Sequence, residues 1–420
     1  MRSVPRVILA KLGLVSAFVA GLIGVSGLGA APPAAAASSA APITIALVTS
    51  ETGFAASEFS GAADAFNARI ALQNSMGGVH GHKLVGIVLD DGTSATQVVS
   101  AVQSALSKGA IGIVSDSALF FLAAKYPQEA GVPVTGTDLD GPEWGEQPYT
   151  NMFAADTGSD DPSFPINTMV ASFVKAHGGT VLGSYGLSVS PDSVREATAV
   201  AEAFQREGGQ VGVLDTTVPF GSVDFTAAAL VAKQKGVNAL APVMTDSSEF
   251  AVATAYQQAG IKPKVVVLST GYEQDVIHSA AWQALQGAYF TSYFRPFSLP
   301  NAGTMQMQSA LEKYAHFTAS DFPNDAQYRA WVSADLMIKG LLAAGDNPTS
   351  AEVVKALRGI TAYNANGLLP YTLDFSTAFG HDPAQGQCAW FMLAKKNGFV
   401  PSSTQAWCGK NIPGTSVSAS

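Results

Sequence analysis

Twice along this chain, short runs rich in β-branched residues alternate with helix-patterned segments that stop on glycine. The first pass reads "ITIALVTS" (43–50), "KLVGIVLDD" (83–91), "AIGIVSD" (110–116) and "VPVTGTD" (132–138) as strands. Helical stretches separate them over 62–75, 95–109 and 120–131. Short continuous apolar runs of this kind are strands buried on both faces, which is the habit of a parallel sheet covered by helices. The pattern then restarts. "GGTVLGSYG", "QVGVLDTTVPF", "VNALAPVM" and "KVVVLST" are strands separated by helices over 193–209, 224–236 and 247–260. "LQGAYFTSYFRP" (285–296) is a further extended segment, followed by helices over 326–345 and 350–360. The fold class is therefore α/β, with two Rossmann-like lobes in tandem. In open parallel sheets ligands sit beyond the C-terminal strand ends, so the site belongs in the cleft between the two.

Composition narrows the function. Hydrophobic residues make up 47% of the 420 and charged residues only 13%, enough to bury large cores and incompatible with disorder. A net charge of −9, with no basic patch interleaved by aromatics, excludes nucleic acid and an anionic membrane as the main partner.

Arg2, Arg6 and Lys11 precede an apolar run from Leu12 to Ala30, and "APPAAAASSAAP" follows with small-residue cleavage sites near Ala35–Ala37. Residues 1–37 read as an export signal, which places the rest of the chain outside the cytoplasm. A retained membrane anchor is the competing reading, since the run just reaches bilayer length. No cysteine follows the run, so no lipid anchor is expected. Cys388 and Cys408 are the only cysteines, and in an exported chain such a pair predicts a disulfide. Between them "AWFMLAKKNGFVP" reads as a hairpin turning at Asn397-Gly398, so a stapled terminal hairpin is expected.

"NSMGGVHGHKL" (74–84) joins a helix end to a strand, where glycines permit positive φ and a sharp reversal. His80 and His82 flank Gly81 with no third ligand nearby in sequence, so the segment reads as a turn rather than a metal site. "DLDGPE" (138–143) is acidic but lacks the spacing of a calcium loop. Neither a metal nor a cofactor is expected. The nucleophile-elbow, zinc-protease, phosphate-loop and dinucleotide motifs are all missing, so no enzyme is predicted.

The run from Ile43 to Asp91 resembles the start of the branched-chain amino-acid-type periplasmic binding proteins, the substrate-binding receptors of ABC importers. The landmarks are Thr52-Gly53, Asn74, Gly77-Gly78-Val79, Gly81 and Asp90-Asp91. The likeness continues through "EAGVPVTG", "VDFTAAALVAKQKGVNAL" and "YQQAGIKPKVVVLSTG". It implies two lobes joined by three crossovers that close on a small-molecule ligand, with an ABC permease as partner and no catalysis. The chain would act as a monomer. The lobes it implies are 43–158 with 295–355, and 159–294 with 356–412, leaving 413–420 as a flexible tail. The crossovers would fall near 150–165, 290–300 and 355–365. A sensor module of the same fold is the alternative function.

The resemblance places the ligand against loops that follow the strands. In the first lobe these hold Phe54, Glu58, Asp116, Ser117, Ala118, Thr137, Asp138 and Asp140. In the second they hold Ser190, Thr245, Asp246, Tyr272 and Glu273. Glu273 or Asp246 would meet a cation, and Tyr272 would form an aromatic wall. The aspartates depart from the family's hydroxyl-lined carboxylate site. Facing the cleft, they suit a cationic or neutral, hydroxyl-rich ligand; alternatively Asp116 and Asp138 cap the helices that follow.

Overall fold

The computed structural model describes residues 40–137, 139, 141–144, 149–156, 165–376 and 387–417. The expected export signal at 1–37 lies outside them. Among the described residues no helix is long and apolar enough to cross a membrane.

The first sheet is built from β1 (Ile43–Thr49), β2 (Leu84–Asp90), β3 (Gly112–Asp116), β4 (Val134–Gly136) and β5 (Met152–Ala154), in the order β2-β1-β3-β4-β5 and parallel throughout. Alternation along β1 sends Ile43, Ile45 and Leu47 to one face and Ala46 and Val48 to the other. The first set packs beneath α1 (Ala62–Ser75), the second beneath α2 (Ala95–Ser107). The helix expected over 120–131 is broken into a single 3-10 turn at Phe120–Leu122 and α3 (Lys125–Ala130).

The second sheet repeats this plan. It contains β6 (Val181–Leu187), β7 (Gln210–Val218), β8 (Ala239–Leu240), β9 (Val265–Leu268) and β10 (Tyr289–Ser292), parallel and ordered β7-β6-β8-β9-β10. Strand by strand this is the order of the first sheet. Its helices are α4 (Met169–Ala176), α5 (Pro191–Arg206), α6 (Thr226–Gln234), α7 (Asp246–Gln258) and the single turn α8 (Trp282–Leu285). Phe173 of α4 and Phe204 of α5 cover one face, and Ala229 of α6 and Val252 of α7 belong to the core on the other.

After β10 the chain forms α9 (Ala302–Tyr314), α10 (Asp325–Ala343) and α11 (Ser350–Arg358). α10 lies against α1, β3 and β4. Buried on nearly every side, it carries two charged anchors: Asp335 accepts from Arg69 of α1 at 3.0 Å, and Arg329 reaches Asp116. The chain then completes the second sheet with β11 (Cys388–Lys395), β12 (Gly398–Pro401) and β13 (Trp407–Cys408), all antiparallel additions. The Cys388–Cys408 disulfide is present. It does not staple the expected hairpin, however. β11 and β12 form that hairpin around Asn397-Gly398, while the disulfide ties β11 to β13.

Hydrogen bonds tie the chain end to Ile166. Ile412 N–H donates to the Ile166 carbonyl at 2.8 Å, and Ile166 N–H donates to Thr415 Oγ1 at 3.0 Å. Residues 418–420 lie outside the described residues. In the Gly-His segment, Val79 and His82 exchange backbone hydrogen bonds around a tight turn. Gly78 has φ +75, and a Cβ there would meet the His82 carbonyl oxygen at 2.0 Å, so only glycine fits. The imidazoles lie against carbonyls: His80 Nε2 is 2.8 Å from Leu342 O, and His82 lies 2.6 Å from Ala41 O and 2.7 Å from Asp346 O.

Candidate functional site

The loop after β1 is the first wall of the cleft. Asp90, at the end of the neighbouring strand, accepts from Thr52 N–H at 3.1 Å and from its hydroxyl at 2.5 Å. Gly53, at φ +92, lets the loop pass within touching distance of the Gly92 carbonyl. The anchored loop delivers Glu58 and Phe59 to a cavity of about 170 Å³, with Thr137 arriving from the end of β4. Across the cleft, loops after β8 and β9 supply Val243, Thr245, Ser269 and Thr270, and Tyr293 and Phe294 follow β10. The first two turns of α5 and α10 complete the lining with Asp192, Glu196, Asp325 and Arg329.

Glu249 of α7 fixes the second wall from behind. One carboxylate oxygen accepts from Met244 N–H at 3.0 Å and the Ser269 hydroxyl at 2.6 Å. The other accepts from Ser269 N–H at 2.9 Å and Thr270 N–H at 3.4 Å. Complete burial pushes its carboxyl up to about 8 against the pull of these bonds.

A smaller cavity of about 20 Å³ shares Glu58, Thr270, Asp325 and Arg329 with the first and adds Asp246, Tyr272 and Glu273. Burial lifts Glu273 to about 8, helped by Asp246, Asp275 and Asp325. Asp325 rises to about 7 through burial, with Arg329 opposing and Asp116 reinforcing. Asp246 is raised by burial, opposed by hydrogen bonds from Ser247 N–H and the Ser57 hydroxyl.

The expected site residues divide. Glu58, Thr137 and Thr245 line the main cavity, and Asp246, Tyr272 and Glu273 line the smaller one. The Tyr272 ring stacks on Phe322 at 5.0 Å. Asp116 lies outside both linings and is neither a cleft ligand nor a helix cap. It is fully buried, and its Oδ1 accepts from Arg329 Nε at 2.7 Å. Burial raises it to about 6, held back by Arg329. Ser117 is likewise withdrawn, its hydroxyl donating to Asp91. Ala118 packs with Ala55 and Phe59, and its N–H donates to Ser50 Oγ at 3.1 Å. Phe54 is 80% exposed and meets Phe220 edge-on at 6.1 Å, so it belongs to the rim. Ser190 caps α5 by accepting from Ser193 N–H at 3.1 Å. Asp138 and Asp140 lie outside the described residues.

Arg329 and Asp325 were missed by sequence reasoning. Besides Asp116, the guanidinium donates to the Glu58 carbonyl at 3.1 Å and lies 5.0 Å over the Phe59 ring. One signal was available. Asp325 and Arg329 stand four apart at the start of a helix with scarcely a polar face, and charges so placed need partners.

The sequence model of the family described as "Periplasmic binding protein" matches residues 42–398. No curated protein sequence matches the chain. Among solved structures, a leucine-binding protein from Thermotoga maritima superposes with a TM-score of 0.71 at 16% identity, covering 88% of this chain and 99% of that one. A branched-chain amino acid ABC transporter protein from Thermus thermophilus with bound valine gives 0.72 at 15%, over 89% and 97%. A solute-binding protein of an ABC transporter from R. palustris, in complex with benzoate, gives 0.70 at 14%, over 90% and 99%. Two sheets whose five parallel strands share one order, a cavity between their C-terminal ends and a family match over most of the length lead to one assignment: the chain belongs to the periplasmic binding protein family.

Proposed function

We propose that this chain is an exported receptor that closes on a small polar solute and delivers it to an ABC importer. The observation that carries the reading is the main cavity, lined from both sheets at their C-terminal strand ends. The neighbours bound to valine and benzoate support a small organic ligand. Closure follows because a ligand touching both walls binds the closed arrangement better than the open one.

We infer lobes that follow the two sheets, 43–158 with 295–355 and 159–294 with 356–412, with one revision. The Phe375 ring meets Phe153 of β5 at 6.0 Å, and the Tyr363 hydroxyl donates to the Val332 carbonyl of α10 at 2.7 Å. These contacts favour assigning residues 363–375 to the first lobe rather than to the second.

The experiment is a thermal-shift screen of the purified chain against amino acids, amines, sugars and aromatic acids, followed by small-angle scattering with each hit. A ligand at 100 times its Kd adds about 2.7 kcal/mol of stability. A hit that also shrinks the radius of gyration supports the reading. Stabilisation by none of the panel, or binding without compaction, overturns it.

A further inference from the structure

We propose that the cavity takes a small aliphatic amine, charged at neutral pH, bearing N–H donors and lacking an α-carboxylate. This rests on the solute-receptor reading above and names its ligand class.

Two groups of carboxylates line the cavity. Asp156, Asp192 and Glu196 gather around the Tyr293 hydroxyl, which burial and these three charges keep neutral. Glu58 and Asp325 lie on the α10 side, where the smaller cavity adds Asp246 and Glu273. Arg329 is the one cationic side chain among the described lining residues. Its charge is already engaged by Asp116 at 2.7 Å, and a second donor by the Glu58 carbonyl. Arg195, which holds Asp192 at 3.1 Å, lines a different cavity. An anionic group entering the main cavity would meet more negative charge than positive.

A second observation is independent of charge. Thr137 is 1% exposed and its hydroxyl has no hydrogen-bond partner, and Asp325 Oδ1 is buried with none. Both residues line the cavity. Buried polar atoms of this kind are ordinarily satisfied, so a ligand with N–H groups supplies what is missing. Phe59, Leu187, Val243 and Phe294 give the same cavity apolar walls for a methylene stem. Among the described residues no group of three His, Cys, Asp or Glu is arranged to hold a metal ion, which favours an organic cation over a divalent one.

Matched pairs that differ only by the carboxylate test this directly: isoamylamine against leucine, cadaverine against lysine, agmatine against arginine. In calorimetric titrations of the purified chain, at least one amine should bind about tenfold or more tighter than its amino acid, the worth of one charge-assisted hydrogen bond. Choline, which has a cationic centre without N–H, should bind more weakly than that amine. Asp325→Asn and Glu196→Gln should each reduce amine affinity by about tenfold. If both variants bind the amine as tightly as the parent, the assignment is wrong. It also fails if the amino acid of each pair binds more tightly, or if benzoate or a sugar binds with compaction while no amine does. In those last cases the receptor reading survives. Silence to every solute overturns both.

Discussion

The hydroxyl of Ser57, on the loop after β1, donates to Oδ1 of Asp246 in the first turn of α7 at 3.3 Å, so a hydrogen bond crosses from one wall of the cleft to the other. The Phe54–Phe220 edge contact crosses at the rim. Ser57 is exposed, so water competes for the bond and its net contribution is about 0.5–1.5 kcal/mol. Ser57→Ala should therefore weaken ligand binding by roughly twofold to tenfold while leaving the unfolding midpoint of the free chain nearly unchanged. Titration calorimetry alongside thermal melts separates the two effects.

Arg329 and Asp116 stand or fall together. Arg329→Met leaves the Asp116 carboxylate fully buried without its partner, which should cost about 3–5 kcal/mol in urea unfolding. Adding Asp116→Leu removes the stranded charge and should recover most of that loss. If the double variant is no more stable than the single one, the pair is not acting as described.

Three buried acids make stability fall as pH rises. Burial lifts Asp116 to about 6, Asp325 to about 7 and Glu273 to about 8, all above the ordinary carboxylate range. Between about pH 4.5 and about pH 8 the folded chain therefore binds more protons than the unfolded chain, and these groups destabilise it progressively across that window. An amine bound beside Asp325 and Glu273 favours their ionised forms, so its affinity should rise over about pH 6 to 8. Melting temperatures of the free chain should decline from about pH 5.5 to about pH 8.5 while the ligand-induced shift grows. Parallel trends with and without ligand would contradict this.

The disulfide closes a loop of sequence separation 20, for which chain entropy gives about 3 kcal/mol. Cys388→Ala with Cys408→Ala should lower denaturant stability by about that amount. Hydrogen exchange at Ala389 and Trp407, which are register partners in β11 and β13, should rise before that of β6 or β8.

Elements whose signals are local were legible. α1 spans the residues its apolar spacing predicts, and β1 to β3 lie within their β-branched runs. Elements defined by their neighbours were not. β5 has three residues and exists through pairing with β4, and β13 has two and exists through β11. α9 begins on a capping box at Asn301, in a sequence with only a modest apolar stripe. β8 was expected over 237–244 but contains only Ala239 and Leu240. Glu58, Asp246 and Glu273, expected from their places after strands, line the cavities. The partnership of Asp116 with Arg329, 213 residues apart, could not, because only the packing of α10 against β3 brings them together. The Asp116 reading failed for that reason.

The late arrival of β11 sets an order of assembly. β10 is bordered on one side by β9 and on the other by β11, which begins at Cys388. A chain that emerges N-terminus first presents β10 with an open edge until that segment appears, and open edges invite pairing with other chains. The first sheet waits in a similar way for α10, which covers β3 and β4. Neither half can finish early. Each sheet is therefore left incomplete until residues from the last quarter of the chain arrive.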